Sequence, residues 1–276
     1  MTLLSVKNLR VTFETENGPV EAVRGVSFSL GRERLGIVGE SGSGKTMTGR
    51  ALLRLIRPPG RIEADAMVFD GQDLMQASER EMRALRGRRI AMVMQDPKFS
   101  LNPVMTVGAQ LTEGLRQRDR LGAGDARARA VAALEAVQIR DVDRVMAAYP
   151  HELSGGMAQR VMIAMMLIPE PDLLIADEPT SALDVTVQDV VLSILDGLVR
   201  DRGMGLIFIS HDLRLVARFC DRVMVMYKGR VVEELAAADL MAAQHPYTRG
   251  LLNCLPRIGG ARGPLPGLDR TGDWAQ

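Results

Sequence analysis

The sequence predicts an α/β protein: a buried parallel sheet with an antiparallel β subdomain at the N-terminus and an inserted α-helical subdomain. Three short apolar runs have the length and composition of strands buried on both faces of a parallel sheet, namely residues 35–38, 173–176 and 206–209. Residues 4–13 and 20–30 are strand-like segments on either side of the turn at Asn17-Gly18-Pro19, which predicts an antiparallel pair. Residues 96–152 contain helical patterns and no convincing buried strand.

Composition and charge favour a globular protein and give no indication of a nucleic-acid-binding or membrane-spanning one. With 276 residues, of which 46% are hydrophobic, the chain has ample material for a core. The 35 Lys plus Arg and 34 Asp plus Glu nearly cancel, so no overall basic field favours nucleic acid as a partner. Cys220 and Cys254 are far apart, which fits packing residues in a reducing compartment. No apolar run approaches the roughly 18 to 20 residues of a membrane helix and no signal peptide is evident, so we expect a soluble, cytoplasmic chain.

The elements follow from turn and capping residues. Residues 35–38 form a strand that enters a glycine-rich loop, and residues 45–55 form the next helix, closed by Pro58-Pro59-Gly60. Residues 78–81, Ser-Glu-Arg-Glu, form a capping box before a short basic helix, and residues 90–94 form another strand.

The second half of the chain returns to the α/β pattern after the helical stretch. In residues 126–137, Ala130, Leu134 and Val137 share one helix face. Residues 223–227 and 230–233 predict a hairpin around Lys228-Gly229, and a short helical tail follows, with a loosely ordered end from Gly259. We therefore predict a core of residues 1–95 and 161–235, an inserted helical subdomain of residues 96–160, and a tail of residues 236–276.

A glycine-rich loop between a strand and a helix predicts a phosphate-binding site. Its glycines allow backbone N–H groups to close around the β and γ phosphates of a nucleotide, Lys45 supplies a point charge, and Thr46 supplies a magnesium ligand. Many unrelated nucleotide-binding proteins share this pattern. The loop reads Gly39-Glu40-Ser41-Gly42-Ser43-Gly44-Lys45-Thr46.

An acidic pair follows the apolar run at residues 173–176. Asp177 is expected at the carboxyl end of a buried strand, where open α/β sheets bind ligands, and is our candidate for orienting the water shell of Mg²⁺. Glu178 is the candidate general base or water-positioning residue beside the γ phosphate. The alternative is a solvated strand end with a turn.

A second phosphate site is predicted where Ser154, Gly155 and Gly156 begin a helix. A helix that starts with a serine and two glycines directs backbone amides at any anion above it. The alternative, a glycine-rich loop before a core helix, is disfavoured because Lys45, Asp177 and Glu178 accompany the segment in this order.

These motifs closely resemble those of ATP-binding cassette ATPases over nearly the whole chain. The resemblance implies a RecA-like P-loop NTPase core, ATP and Mg²⁺ as cofactors, and ATP hydrolysis. It also implies that His211 contacts the γ phosphate, that Gln95 meets magnesium and the attacking water, and that Asp184 belongs to a loop crossing the seam of a dimer. Met157 departs from the family's usual glutamine at the fifth signature position, which puts the contact at the helix start in doubt.

The sequence indicates the roles of two further residues, Phe13 and His245, less specifically. Phe13 is the best candidate for stacking on adenine, although it could equally belong to the core of the antiparallel sheet. His245 lies in the segment 245–252, which we expect to be far from the nucleotide, and we assign it no catalytic role.

The sandwich arrangement of the family implies a dimer. In that arrangement Ser154 of one chain contacts the ATP held by the phosphate loop of its partner, so each ATP site is built from two subunits.

Two segments resemble the dipeptide, oligopeptide and nickel importer branch of the family: residues 94–103 and His245-Pro246-Tyr247-Thr248. The resemblance implies a second ATPase subunit, identical or different, two membrane permeases and an extracytoplasmic substrate-binding protein, with this chain on the cytoplasmic face of the inner membrane. Only Cys254 lies in the region where many peptide-importing relatives hold an iron–sulfur cluster, so we predict none. The shorter tail keeps nickel or a metal chelate as an alternative substrate.

Two further alternatives come from other classes of protein. Cassette ATPases of DNA repair or translation typically have a long coiled-coil insertion or two cassettes, and this sequence has neither. A regulatory nucleotide binder without turnover is disfavoured because Lys45, Asp177, Glu178 and His211 are all present.

Overall fold

A computed structural model describes residues 2–94, 100–117, 119–180, 183–255 and Trp274. Gln95, the loop residues Ser181 and Ala182, and the tail from Gly259 up to Asp273 lie outside the described residues. The chain divides into two compact units, one of Met1–Glu79 with Ile207–Gln276 and one of Arg80–Leu206. These bounds differ from the functional division predicted above, which stays a prediction.

The first unit contains the predicted antiparallel sheet. Strand β1 (Leu4–Thr15) pairs with β2 (Gly18–Leu30), and β1 also pairs with β4 (Gly60–Glu63) and β5 (Ala66–Phe69). The short strand β6 (Gln72–Asp73) pairs with β5. Alternate side chains of β1 are buried, as expected for a sheet with one face on the core.

Parallel strands form the second sheet of this unit. Strand β3 (Arg34–Val38) pairs in parallel with β10 (Arg222–Tyr227), which forms an antiparallel hairpin with β11 (Arg230–Ala236). Lys228 and Gly229 both have positive φ, the requirement of a tight two-residue hairpin turn. The order is β11-β10-β3-β9, where β9 is Gly205–Ile209 and its last three residues belong to this unit.

The helix after the glycine loop is shorter than predicted. Helix α1 spans Lys45–Leu52, whereas the sequence predicted residues 45–55. Arg54 adopts a left-handed conformation with φ of 51°, and its guanidinium donates a hydrogen bond to the carbonyl oxygen of Leu74. The helix therefore ends before the point at which Arg54 leaves helical geometry and contacts a distant segment.

Helix α8 (Leu213–Phe219) packs on β3 and leaves no room for a side chain at Gly36. A Cβ atom added to Gly36 would lie 2.4 Å from Cγ1 of Val216 and 3.1 Å from Sγ of Cys220. Burial raises the pKa of the Cys220 thiol well above its usual value, so this cysteine is a packing residue. Beside it, partial burial acts to raise the pKa of Asp221, but hydrogen bonds from Arg34 hold it below its usual range.

The second unit combines parallel strands with the predicted helical stretch. Strand β7 (Ile90–Val93) pairs in parallel with β8 (Leu173–Asp177), and β9 follows β8 in the strand order. Within the described part of residues 96–152 the regular elements are helical, which confirms the predicted character of this stretch. Its helices are α3 (Val107–Gln117), α4 (Ala123–Ala136), α5 (Val142–Ala147) and a 3-10 turn at Pro150–Glu152.

Two longer helices complete the second unit, which also contains most of the short helix α2 (Glu79–Leu85). Helix α6 spans Gly155–Leu167, and α7 spans Val185–Arg202. Helix α7 ends at Gly203 in a left-handed conformation, with Arg200 and Arg202 in the last turn, where cations complement the helix dipole.

The tail continues the first unit. After β11 come a 3-10 helix at Ala237–Ala242 and helix α9 (Pro246–Asn253), which His245 caps. Among the described residues, none of the helices has the length and apolar character required to cross a membrane.

The tight contact at Gly36 yields a stability prediction. Gly36→Ala should lower the free energy of unfolding by about 1 to 3 kcal/mol, because the added methyl overlaps Val216. Urea denaturation of the purified chain measures this change.

Gly124→Ala is the matched control. Gly124 is exposed in α4 and a Cβ there would meet nothing within 4 Å, so this variant should be neutral or more stable by about 0.5 to 1 kcal/mol. Equal unfolding midpoints for the two variants would contradict the packing argument.

Candidate functional site

The glycine loop leads from the end of β3 into α1, and two of its glycines have no room for a side chain. A Cβ atom at Gly39 would lie 2.2 Å from the carbonyl oxygen of Met226, and one at Gly44 would lie 2.5 Å from that of Ala22. Gly42 faces open space but has φ of 81°. The loop therefore requires glycine at positions 39 and 44 for close backbone approach and at 42 for conformation.

Lys45 begins α1 and is buried within this loop. The residue is only 7% exposed to solvent. Its Nζ donates hydrogen bonds of 2.8 Å to the carbonyl oxygens of Gly39 and Glu40. An ammonium held at a helix N-terminus places positive charge where backbone N–H groups also favour an anion. Thr46 follows in the first turn and is half-buried.

The β10–β11 hairpin supports the loop from behind. The backbone N–H of Gly229 donates to the carbonyl oxygen of Ser43 at 3.0 Å. Both the backbone N–H and the hydroxyl of Thr48 donate to the carbonyl oxygen of Gly44, at 2.9 and 3.0 Å. Gly229 and Thr48, which lie outside residues 39–46, thus stabilise the conformation of the loop.

The tail helix also reaches the loop. The backbone N–H of Glu40 donates to the hydroxyl oxygen of Tyr247 at 3.1 Å. The expectation that residues 245–252 lie far from the proposed nucleotide site is therefore wrong, because the hydroxyl of Tyr247 contacts the glycine loop directly. His245 itself caps α9, its Nδ1 accepting from the backbone N–H of Tyr247 at 3.3 Å. The sequence contained the His-Pro-Tyr-Thr motif but no indication of what Tyr247 contacts.

His211 lies next to the loop's strand. It is exposed and stands between β9 and α8. The backbone N–H of Ser210 donates to the carbonyl oxygen of Ile37 at 3.1 Å, which aligns the end of β9 with the end of β3. Within the first unit, His211 and the start of the glycine loop thus follow the same sheet edge.

Phe13 lies on β1 and is half-buried. Its ring occupies the space beside Gly60, because a Cβ atom there would lie 2.6 Å from Cε1 of the ring. The side chain is therefore neither fully in the core nor fully exposed, and its role toward adenine stays a prediction.

In the second unit, Asp177 is the last residue of β8. It is 4% exposed, and the five residues of this strand are all buried. Glu178 follows with φ of 48° and is half-buried. This left-handed conformation turns the backbone away from the strand path at the point where β8 ends.

The predicted anion site at residues 154–156 is a helix N-terminus. Ser154 is the N-cap of α6, and its Oγ accepts a hydrogen bond of 3.3 Å from the backbone N–H of Met157. Ser154 and Gly155 are exposed. Because Met157 takes part through its backbone, its departure from the usual glutamine does not remove this capping contact.

Gln159 is a residue that the sequence analysis missed. It is 2% exposed in α6, and its Nε2 donates a hydrogen bond of 2.7 Å to the carbonyl oxygen of Pro179. This bond joins the helix that begins at Ser154 to the segment that directly follows Glu178. A polar residue inside an apolar helix was the available signal.

Asp184 is the N-cap of α7, where its Oδ1 accepts a hydrogen bond of 3.0 Å from the backbone N–H of Val187. This capping contact is independent of any role at a dimer seam, which stays a prediction. Gln95, the remaining predicted site residue, lies outside the described residues.

The predicted residues fall into two sets. The first unit contains Phe13, the loop Gly39–Thr46 and His211, and the second contains Ser154, Gly155, Gly156, Asp177, Glu178 and Asp184. The described residues include no group of three or more His, Cys, Asp or Glu that could hold a metal. The Thr46 hydroxyl and the Asp177 carboxylate are oxygen donors, the type that Mg²⁺ prefers when phosphates supply further ligands.

Comparisons with known proteins identify the family and the relatives that this chain resembles. The chain matches the model of the ABC transporter family over residues 23–181. It is 48% identical to the oligopeptide transport ATP-binding protein OppD of Bacillus subtilis, over 93% of this chain and 72% of that protein. It is 44% identical to the dipeptide transport ATP-binding protein DppD of the same organism, over 98% of this chain and 81% of that protein.

A solved structure confirms the predicted fold class. The structure is similar to the ATP-binding cassette MJ0796, determined as a dimer in a post-hydrolysis state bound to ADP and phosphate. The TM-score is 0.76 and the identity 27%, over 85% of this chain and 98% of that one.

The glycine contacts lead to a prediction about nucleotide binding. Gly39→Ala should weaken binding of a nucleoside triphosphate by at least about tenfold, because its Cβ would displace either the loop or the Met226 carbonyl. Titration with a fluorescent ATP analogue measures the affinity.

Gly42→Ala is the comparison variant, since its Cβ meets nothing within 4 Å and only the positive φ opposes it. Its loss of affinity should be smaller. An equal or larger loss for Gly42→Ala would show that the close approach at Gly39 is not what shapes the site.

Proposed function

Because this chain belongs to the ABC transporter family, we propose that it is the ATP-hydrolysing subunit of an importer of oligopeptides or dipeptides. ATP binding and hydrolysis are the activity of the family. The observation that carries the peptide assignment is the match to oligopeptide and dipeptide transport ATP-binding proteins over more than nine-tenths of the chain, at 44% to 48% identity.

The phosphate loop is the proposed site of ATP. Lys45 would bind the β and γ phosphates with the backbone N–H groups at the start of α1, and its burial among loop carbonyls supports a fixed rather than mobile charge. Phe13 is proposed to stack on adenine. The proposed ATP-binding core comprises residues 1–95 and 161–235.

Mg²⁺ is proposed to bind with ATP through Thr46 directly and Asp177 through water, with Gln95 as a further ligand. When bound, the ion would neutralise negative charge on the phosphates. The oxygen donors of Thr46 and Asp177 support this assignment.

Glu178 is proposed to hold and polarise the attacking water. A carboxylate that directly follows the end of a buried strand, on a residue that is itself half-buried, supports a positioned rather than a solvated role. Gln159 would keep the following segment in place through its bond to Pro179. His211 is proposed to contact the γ phosphate from the first unit.

Two cassettes are proposed to enclose ATP between them. Ser154, Gly155 and Gly156 of one subunit would contact the ATP bound at the partner's phosphate loop, with Asp184 near the seam. The start of α6 supports this role, since Ser154 and Gly155 are exposed at a helix N-terminus, where backbone N–H groups favour an anion. A similar cassette was solved as a dimer bound to ADP and phosphate.

The proposed complex contains a second ATPase subunit, two membrane permeases and an extracytoplasmic substrate-binding protein. The chain would lie on the cytoplasmic face of the inner membrane. The helical subdomain of residues 96–160 and the tail of residues 236–276 would accompany the core. Nickel or a metal chelate is the alternative cargo, and the relatives named above favour peptides.

Glu178→Gln tests the catalytic assignment. The variant should bind ATP and accumulate as a closed dimer, while phosphate release falls about 100-fold or more, because an amide cannot accept the proton of the attacking water. Phosphate release and light scattering in the presence of ATP measure the two effects.

Glu170→Gln is the control for charge removal. Glu170 is also in a left-handed conformation, but its carboxylate is exposed and pairs with Arg202. Hydrolysis by this variant should stay within about twofold of wild type. Undiminished hydrolysis by Glu178→Gln would remove the role given to Glu178.

Uptake measurements decide the cargo. A strain lacking this chain should lose uptake of a labelled oligopeptide and keep uptake of nickel, and the Glu178→Gln gene should fail to restore peptide uptake where the wild-type gene succeeds. Lost nickel uptake with normal peptide uptake would establish the alternative instead.

A further inference from the structure

One peptide unit of the phosphate loop is held at both ends. The carbonyl oxygen of Gly39 accepts a hydrogen bond of 2.8 Å from Nζ of Lys45. The N–H of the same peptide unit, that of Glu40, donates to the hydroxyl oxygen of Tyr247 at 3.1 Å. The tyrosine and the lysine therefore act on opposite ends of one rigid plane.

The plane lies at the start of the loop, directly after a glycine. Gly39 has no Cβ, so no side chain at this position opposes a change in ψ of Gly39 and φ of Glu40. Rotation would carry the Gly39 oxygen away from the Lys45 ammonium. A hydrogen bond to the Glu40 N–H opposes that rotation.

Tyr247 is itself firmly placed. It is 0% exposed, and its ring packs on that of Tyr227 with centroids 4.5 Å apart. The turn before it is held to β11, because Oε1 of Glu233 accepts from the backbone N–H groups of Gln244 and His245 at 2.9 and 3.1 Å. The ring packing and the hydrogen bonds to Glu233 thus fix the position of the Tyr247 hydroxyl beside the loop.

We propose that Tyr247 is a positioning residue of the ATP site, whose hydroxyl orients the Gly39–Glu40 peptide and through it the ammonium of Lys45. Nζ of Lys45 donates to the carbonyl oxygens of Gly39 and Glu40 at 2.8 Å and to Oγ of Ser43 at 3.4 Å. The positions of the two carbonyl oxygens therefore help to set where the ammonium lies in the loop, and hence where it meets a phosphate. Docking of the tail helix and ATP affinity are then coupled.

The inference rests on the proposed function only in that ATP binds at this loop, and it requires no particular cargo. Tyr247→Phe removes the hydroxyl and keeps the ring that packs on Tyr227. In the full-length chain it should raise the Kd for ATP about threefold to tenfold and raise KM with kcat within about twofold, as expected for lost binding rather than lost chemistry.

Tyr227→Phe is the matched control. It removes a hydroxyl from the other ring of the pair and keeps that ring, so it tests whether the loss of any hydroxyl from the pair is enough to weaken ATP binding. ATP affinity of this variant should equal that of wild type within about twofold. An equal loss in both variants, or none in Tyr247→Phe, would overturn the proposal.

Hydrogen exchange of the nucleotide-free chain supplies a second test, and the wild-type part of it needs no variant. In wild type the Glu40 amide should exchange more slowly than those of Ser41 and Gly42, and in Tyr247→Phe it should lose this protection. A Glu40 amide that exchanges as fast as its neighbours in wild type would overturn the proposal. A failure of the ATP assignment would give a different result. Lys45→Ala would then bind ATP with wild-type affinity, while the Glu40 amide of the wild-type chain still showed the expected protection.

Discussion

The close approach of the glycine loop to the β10–β11 hairpin is the contact on which the proposed nucleotide site of the first unit depends. A Cβ at Gly39 would lie 2.2 Å from the Met226 carbonyl oxygen, and the N–H of Gly229 donates to the Ser43 carbonyl. The loop can therefore keep a conformation that places Lys45 inside it, because strands far away in sequence supply its outer wall. Without that wall, a loop with several positive φ angles would have many alternative conformations and would lose much entropy on binding a phosphate.

The strands explain where the remaining groups emerge. β8 is buried along its whole length, so the first position at which its chain can present a carboxylate to a ligand is its carboxyl end, at Asp177 and Glu178. In the first unit, the Ser210 to Ile37 hydrogen bond aligns β9 with β3, and His211 follows the same edge as the glycine loop. Both placements follow from the rule that parallel strands offer ligands their carboxyl ends.

Much of the fold could be predicted because several of its strands and turns depend on residues that are neighbours in the sequence. The apolar runs that became β3, β8 and β9, and the Lys228-Gly229 hairpin, depend on residues adjacent in sequence. The end of α1 could not be predicted, since Arg54 leaves helical geometry to reach Leu74. Gln159 and Tyr247 were missed for the same reason: the group that each side chain contacts lies 20 residues away in one case and 207 in the other.

The sequence by itself determined the class of protein, the glycine loop between a strand and a helix, the helix start at Ser154 and the acidic pair at the end of a strand. Each of these is a short run that depends on residue types and local backbone preference. Tertiary structure decided what surrounds them. The hairpin behind the loop, the tyrosine hydroxyl on the Glu40 N–H and the glutamine amide on the Pro179 carbonyl each satisfy a backbone group with a partner from a distant segment. Buried backbone groups must find such partners, but which side chain provides them is set only when the chain has packed.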